Sequence, residues 1–295
     1  MNQVIPWTRL VALIAPHYPK PGRGRQPLGV EKMLRVYCLQ QWFDLSDPAA
    51  EEMLYDSESM RRFTGIELGE DVVPDETTIL RFRHLLEQHH LTEAIFGEIR
   101  TLLAERGLLL KRGTIVDATI IAAPSSTKNA AEARDPEMHQ TKKGKTWHFG
   151  MKVHFGADPR GVVHSLTTTH AAVADITQLP MLLHGGETEL YGDQAYWSAQ
   201  DRRDCEAAGI RYRVNRRPTK KTPLSARWRA INRARSRRRA FGEHPLLVVK
   251  HLWRFTKVRY RGLAKNAARV LAIFGFANLY RMRYRLLPRG AVCAL

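Results

Sequence analysis

The spacing of apolar side chains changes character near residue 107. Before it, apolar positions recur every three or four residues. In the stretch 29–45, Val30, Met33, Leu34, Tyr37, Cys38, Gln41 and Trp42 line one side of a 3.6-residue repeat, which predicts a helix. Asp47-Pro48 opens a second short helix. Pro74-Asp75-Glu76-Thr77-Thr78 opens a third, placing acidic and hydroxyl side chains where the first N–H groups need acceptors. A fourth is predicted over 92–106. After residue 107 the texture is β-branched. Thr114 to Ile121 is bounded by turn residues, as expected of a buried strand. The stretch 124–145 is polar and aperiodic and is expected to be a mobile loop. Runs over 148–156 and 161–169, joined by Ala157-Asp158-Pro159-Arg160-Gly161, predict a hairpin. Helix, strand, helix and strand follow over 175–184, 189–193, 198–208 and 210–215, and then a basic helical tail. This order predicts an α/β domain with a mixed sheet flanked by helices, preceded by an all-α domain.

Composition then narrows the partners. Lys and Arg total 47 against 29 Asp and Glu, a formal net charge of +18. Such a surface gains free energy by displacing counterions from a polyanion, although ribosomal and membrane-surface proteins share the property. The three cysteines, Cys38, Cys205 and Cys293, are far apart and form no C-x-x-C pair, which argues against a disulfide scaffold or a thiolate zinc site and fits a reducing cytoplasm. The apolar N-terminal run is interrupted by Arg9 and two prolines, so neither a signal peptide nor a membrane span is expected.

Three acids stand out. Asp117 lies among Ile115, Val116 and Ile120, where a buried charge needs a partner, and a metal ion would supply one. Asp193 repeats the situation at the end of another predicted strand, 189–193. Two such aspartates and a later glutamate could hold Mg²⁺ through hard oxygen ligands, while singly each is better read as a strand-end cap or a salt-bridge partner. Glu243 follows the cationic block 227–239 and could be simple charge balance. Arg239 lies four residues before it and Lys250 seven after it, so on one helix all three share a stripe of roughly 60°. Pro245 would kink that helix or sit in its first turn. Arg81 and Arg83 suit either a DNA groove or a solvated face. Trp197 and Trp253 fit a core role better than base stacking, and His148, His154, His164 and His170 fit packing better than metal ligation.

Arg239-x-x-x-Glu243 with six residues before Lys250 resembles the C-terminal signature of bacterial DDE insertion-sequence transposases. The run 255–266, Ile115-Val116-Asp117-Ala118-Thr119, Gly150-Met151-Lys152-Val153-His154 and Gly192-Asp193-Gln194-Ala195-Tyr196 resemble segments of the insertion-sequence-five group. So do Ile5-Pro6-Trp7, Gly22-Arg23-Gly24-Arg25 and 74–78, so the likeness covers nearly the whole chain. It departs at Ser236, where the signature carries Tyr, and in the short segment between Asp193 and Glu243, which leaves no room for a β-rich insertion domain.

The resemblance implies a helical DNA-binding domain over 1–107, a ribonuclease-H-like catalytic domain over 108–285 and a tail over 286–295. It implies that Asp117, Asp193 and Glu243 bind two Mg²⁺ ions, with Mn²⁺ as a substitute, and that transposon-end and target DNA are cut and joined by a homodimer. Expected DNA contacts are Arg239, Lys250, Lys257, Arg259 and Arg261 beside the site, Lys142, Lys143, Lys145 and the 227–239 block on phosphates, and Thr77, Thr78 and Arg81 on the terminal repeats. No membrane or small-molecule substrate is expected. A nuclease that does not join strands and a catalytically inactive DNA-binding regulator are the competing readings.

Overall fold

The computed structural model describes residues 1–23, 26–128, 132–218 and 223–287. Gly24 and Arg25 of the basic turn, Cys293 and the tail beyond residue 287 lie outside the described residues. Two compact units form. One comprises Met1–Leu102, His251–Arg254 and the chain from Leu271, the other Leu103–Lys250 and Phe255–Val270.

The first unit is helical, with α1 (Trp7–Ile14), α2 (Val30–Phe43), α3 (Asp47–Asp56), α4 (Glu58–Thr64), α5 (Glu76–Gln88) and most of α6 (Leu91–Glu105). Helix starts follow the capping chemistry. Ser46 Oγ accepts from the Ala49 N–H at 3.2 Å and Asp75 Oδ1 from the Thr78 N–H at 2.7 Å. Helix α4 was not expected from apolar spacing; Ser57 caps its start and Gly65, at φ +68°, ends it. Trp42 and Trp253 stack within the core of this unit, with Phe276 and Tyr280 beside them, which settles Trp253 as a packing residue. Arg83 is only 6% exposed and pairs with Glu87 at 2.9 Å and Asp47 at 3.3 Å. It therefore neither enters a groove nor faces solvent; it ties α5 to the start of α3.

The second unit is built on a six-stranded sheet: β1 (Thr114–Ala122), β2 (His139–Lys143), β3 (Thr146–Ala157), β4 (Val163–His170), β5 (Glu189–Tyr191) and β6 (Arg211–Tyr212). β1 lies antiparallel to β3 and, on its other edge, parallel to β5, which is parallel to β6. β2 pairs with the first part of β3 and β4 with the rest, giving the order β4-β3-β1-β5-β6 with β2 continuing the β4 edge. Gly150 is where β3 changes partner. A Cβ there would stand 2.1 Å from the Ile121 carbonyl oxygen, so only glycine permits the approach of β1.

Four expectations need correction. The stretch expected as a loop over 124–145 ends in β2, the strand expected over 189–193 stops at Tyr191, and that over 210–215 contracts to two residues. The helix expected over 175–184 is a 3₁₀ turn, Asp175–Gln178, running into α7 (Leu179–Leu182), and α8 spans Ala199–Ala207. A helical run then extends from α9 (Ala226–Arg239) through a 3₁₀ turn (Ala240–Glu243) and α10 (His244–Leu246) to a π turn (Leu247–Leu252), and α11 spans Leu263–Leu286. Among the described residues no helix is long and apolar enough to cross a membrane.

Gly150→Ala is expected to destabilise the second unit by about 3 kcal/mol, the upper range for overpacking. Denaturant unfolding would measure it, and a loss below about 0.5 kcal/mol would mean that β1 and β3 tolerate separation there.

Candidate active site

The site begins with a gap in a sheet edge. β5 pairs with β1 only as far as Ile115, and the segment Thr256–Val258 joins the same edge only at Ala122, through Ala122 N–H to Thr256 O (3.0 Å) and Val258 N–H to Ala122 O (2.8 Å). Between them the edge of β1 has no strand partner among the described residues. Side chains satisfy it instead: the Ala118 N–H donates to Asp117 Oδ1 at 2.9 Å, and Lys250 Nζ donates to the Ile120 carbonyl and to Thr119 Oγ1, each at 2.9 Å.

Asp193 lies just past the end of β5. Its Oδ1 accepts from the Ala195 N–H at 2.8 Å and caps the 3₁₀ turn Gln194–Tyr196, while the Gly192 carbonyl accepts from the Asn215 N–H at 3.1 Å. Glu243 arrives on the helical run. At Gly242 that run comes closest to β1, where a Cβ would stand 2.8 Å from Ile115 Cγ2. Arg239, one turn earlier, reaches two acids: Nη1 lies 3.5 Å from Asp117 Oδ2 and Nη2 lies 3.6 Å from Glu243 Oε1. The helical spacing read in the sequence thus puts Arg239 and Lys250 on the same strand, two residues apart along β1.

Electrostatics mark Asp117. Burial pushes its carboxyl up to about 6, with the like charges of Asp193 and Glu243 adding to the rise; the Ala118 N–H and the Arg239 guanidinium oppose it only in part. Lys250 is held below its ordinary range, chiefly by burial and then by Lys143. Three carboxylates and an under-compensated negative charge suit a hard divalent cation by donor type. Among the described residues, however, no three His, Cys, Asp or Glu side chains are gathered closely enough to hold one, and Arg239 stands between two of the acids.

The other candidates are distributed more widely. Lys257 is itself the residue bridged to Ala122 at the strand edge, and Arg259 and Arg261 line a cavity of about 200 Å³ with Arg134, Pro124 and Ser126. Lys142, Lys143 and Lys145 are exposed at the β2–β3 tip, Lys142 lying 5.7 Å from the Trp147 ring centroid. Thr77, Thr78 and Arg81 belong to the first unit, where the Thr77 hydroxyl donates to Asp75 and Arg81 is exposed beside a surface cavity that also holds Lys20 and Arg23. Ser236, the departure from the resembled signature, is engaged internally, accepting from Asn215 Nδ2 at 3.0 Å. Asn215 thereby links α9 to the backbone that carries Asp193, a role for which its strand-like surroundings in the sequence held no signal. Tyr196 is also newly placed: its hydroxyl is buried without a hydrogen-bond partner, and burial, then Asp175, Asp117 and Asp193, push its phenol far up. Of the hairpin histidines, His154 and His164 are buried in the sheet, while His148 and His170 are half-buried and His170 lies 4.0 Å from the His139 ring. His154 bonds Thr169 at 2.9 Å and His164 bonds Thr114 at 3.1 Å.

A basic chain whose central strand and following helix converge in acids suits proteins that act on DNA phosphodiesters. Residues 109–279 match the Transposase DDE domain family, more than half of the chain, and residues 1–85 match the Transposase domain (DUF772) family. The chain belongs to the DDE insertion-sequence transposases. No solved structure matches it.

Burial raises the Asp117 carboxyl from its ordinary value near 4 to about 6, so the contribution of this one group to stability is present at low pH and is lost as pH rises from about 4 to about 6. Asp117→Asn is therefore expected to raise stability at pH 7.5 without divalent ions by about 1–3 kcal/mol and to flatten that part of the pH profile. Thermal unfolding from pH 4 to 8 would test this; an unchanged or lower melting temperature at pH 7.5 counts against a strained carboxylate.

Proposed function

We propose that this transposase binds the terminal inverted repeats of an insertion sequence and catalyses divalent-metal-dependent strand cleavage and strand transfer, with Asp117, Asp193 and Glu243 as the metal-binding acids. What supports it most is the joining of Asp117 to Glu243 through Arg239 across more than a hundred residues of chain, with Lys250 tied to the same strand. Strand order β4-β3-β1-β5-β6, with three antiparallel strands followed by two parallel to β1, supports a ribonuclease-H-like core within 108–285.

Two bound divalent ions, Mg²⁺ with Mn²⁺ as substitute, would supply activation of the attacking oxygen and stabilisation of the leaving 3′-oxygen in an in-line displacement. The protein's own groups hold and align. The acids are carried by a strand, the turn just past a strand end and the 3₁₀ turn of the helical run, so each is anchored on ordered backbone. Arg239 and Lys250 supply charge-assisted donors for the scissile phosphodiester. Lys257, Arg259 and Arg261, the β2–β3 lysines and the exposed arginines of α9 bind flanking phosphates and set affinity without reading sequence. Recognition of the repeats falls to the helical N-terminal domain, 1–107, through Thr77, Thr78 and Arg81. Two ends require two active sites, so a homodimer on cytoplasmic DNA is the working assembly; the tail, 286–295, carries no assigned role.

Asp193→Asn and Glu243→Gln are each expected to lower Mg²⁺-dependent cleavage and strand transfer of end-containing DNA at least about 100-fold, beyond the loss typical of outer-shell changes, while DNA binding is retained. Wild-type rates in either variant would remove these acids from the mechanism. Cleavage without joining by the wild-type chain would mark a nuclease instead.

A further inference from the structure

Arg239 makes poor hydrogen bonds for a guanidinium so placed. Its contacts with Asp117 and Glu243 are 3.5 and 3.6 Å, long beside the 2.7–2.9 Å of a charge-assisted bond, and its Nε is buried with no hydrogen-bond partner. It is therefore held by charge more than by fit. Among the described residues no cluster of acids is ready for a metal, and the side chain lying between two of the three is this one.

The geometry points to Arg239 as a displaceable counter-ion that occupies the cation's place between Asp117 and Glu243 and must leave for a divalent ion to bind. This rests on the reading of those acids as metal ligands. Guanidinium and divalent ion compete for the same oxygens, so the metal affinity of the DNA-free chain is held down. Once displaced, the guanidinium remains tethered on the last turn of α9, within reach of a phosphodiester brought to the acids. Substrate phosphate and metal thus favour the same displaced position of one side chain, which couples their binding in both directions. A metal-loaded nuclease in the absence of DNA is disfavoured by the same device.

Mn²⁺ binding to the full chain without DNA, followed by the paramagnetic resonance of the free ion, tests this. Arg239→Gln is expected to bind Mn²⁺ about tenfold more tightly than wild type, the equivalent of one lost ion-pair competition. Arg239→Lys, which keeps the charge but cannot reach both acids at once, is expected to gain about threefold and covers the case in which the glutamine variant fails to fold. Arg238→Gln, the exposed neighbour on α9, removes the same charge without the contacts and is expected to stay within about twofold. No gain in the Arg239 variants, or an equal gain in Arg238→Gln, overturns the proposal. Loss of the Mn²⁺ site in Asp117→Asn and Glu243→Gln is the separate check on the ligands themselves: if both variants still bind Mn²⁺ as wild type does, the metal-site reading fails whatever Arg239 does.

Discussion

A carboxylate desolvated on a central strand needs positive charge within a few ångström, and the architecture around β1 follows from that need. Asp117 sits where the edge of β1 is released by β5 and not yet taken up by Thr256–Val258. Had either neighbour continued, the edge would be filled by backbone and no side chain could approach. The gap instead admits Lys250 to the Ile120 carbonyl and Arg239 to Asp117 itself. Even so, the compensation is incomplete, and the residual cost is what makes the position attractive to a stronger cation. Stability and binding capacity are opposed at this one residue.

The helical run carries both cations and Glu243 to the same strand through an irregular path. A 3₁₀ turn over Ala240–Glu243 winds tighter than an α-helix and the π turn over Leu247–Leu252 winds looser, so their angular errors offset. Pro245 lies between them in the first turn of α10, where its missing N–H costs little. Arg239 and Lys250 accordingly stay on one side of the run. Gly242 fixes the depth, because any side chain there would meet Ile115.

How much of this was legible depends on the range of the interaction. The β-branched run of β1, the start of α3 at Asp47-Pro48 and the Asp75 cap of α5 are local signals, and they appear where the sequence places them. Strand β2 gave none: His139 to Lys143 is polar throughout and mostly exposed, so no alternation marks it, and its pairing is dictated by β3. Arg83 looked like its neighbour Arg81 and differs only in which face of α5 it occupies, which is set by Asp47 on another helix. The spacing of Arg239 and Glu243 announced a pair, but not that the same guanidinium also meets Asp117, since nothing local records a contact between residues 122 apart in the chain. Asn215 and Tyr196 were hidden for the same reason.

Helix α9 brings the charge and the site together. It holds seven arginines, no acid and no buried residue, so neither an apolar face nor internal ion pairs stabilise it. It is held instead at a few points: Ser225 caps it, Asn232 exchanges hydrogen bonds with the backbone of Arg216, Arg235 donates to the Val214 carbonyl, and Arg239 meets the acids. Two of these anchors, Arg216 and Val214, lie on the segment following β6, and a third is Asp117. A polyanion along the exposed face would relieve the mutual repulsion of the remaining arginines and firm the helix that delivers Glu243. The basic surface and the acidic site are thus mechanically one element, in which neutralising the arginines on one face steadies the carboxylate at its end.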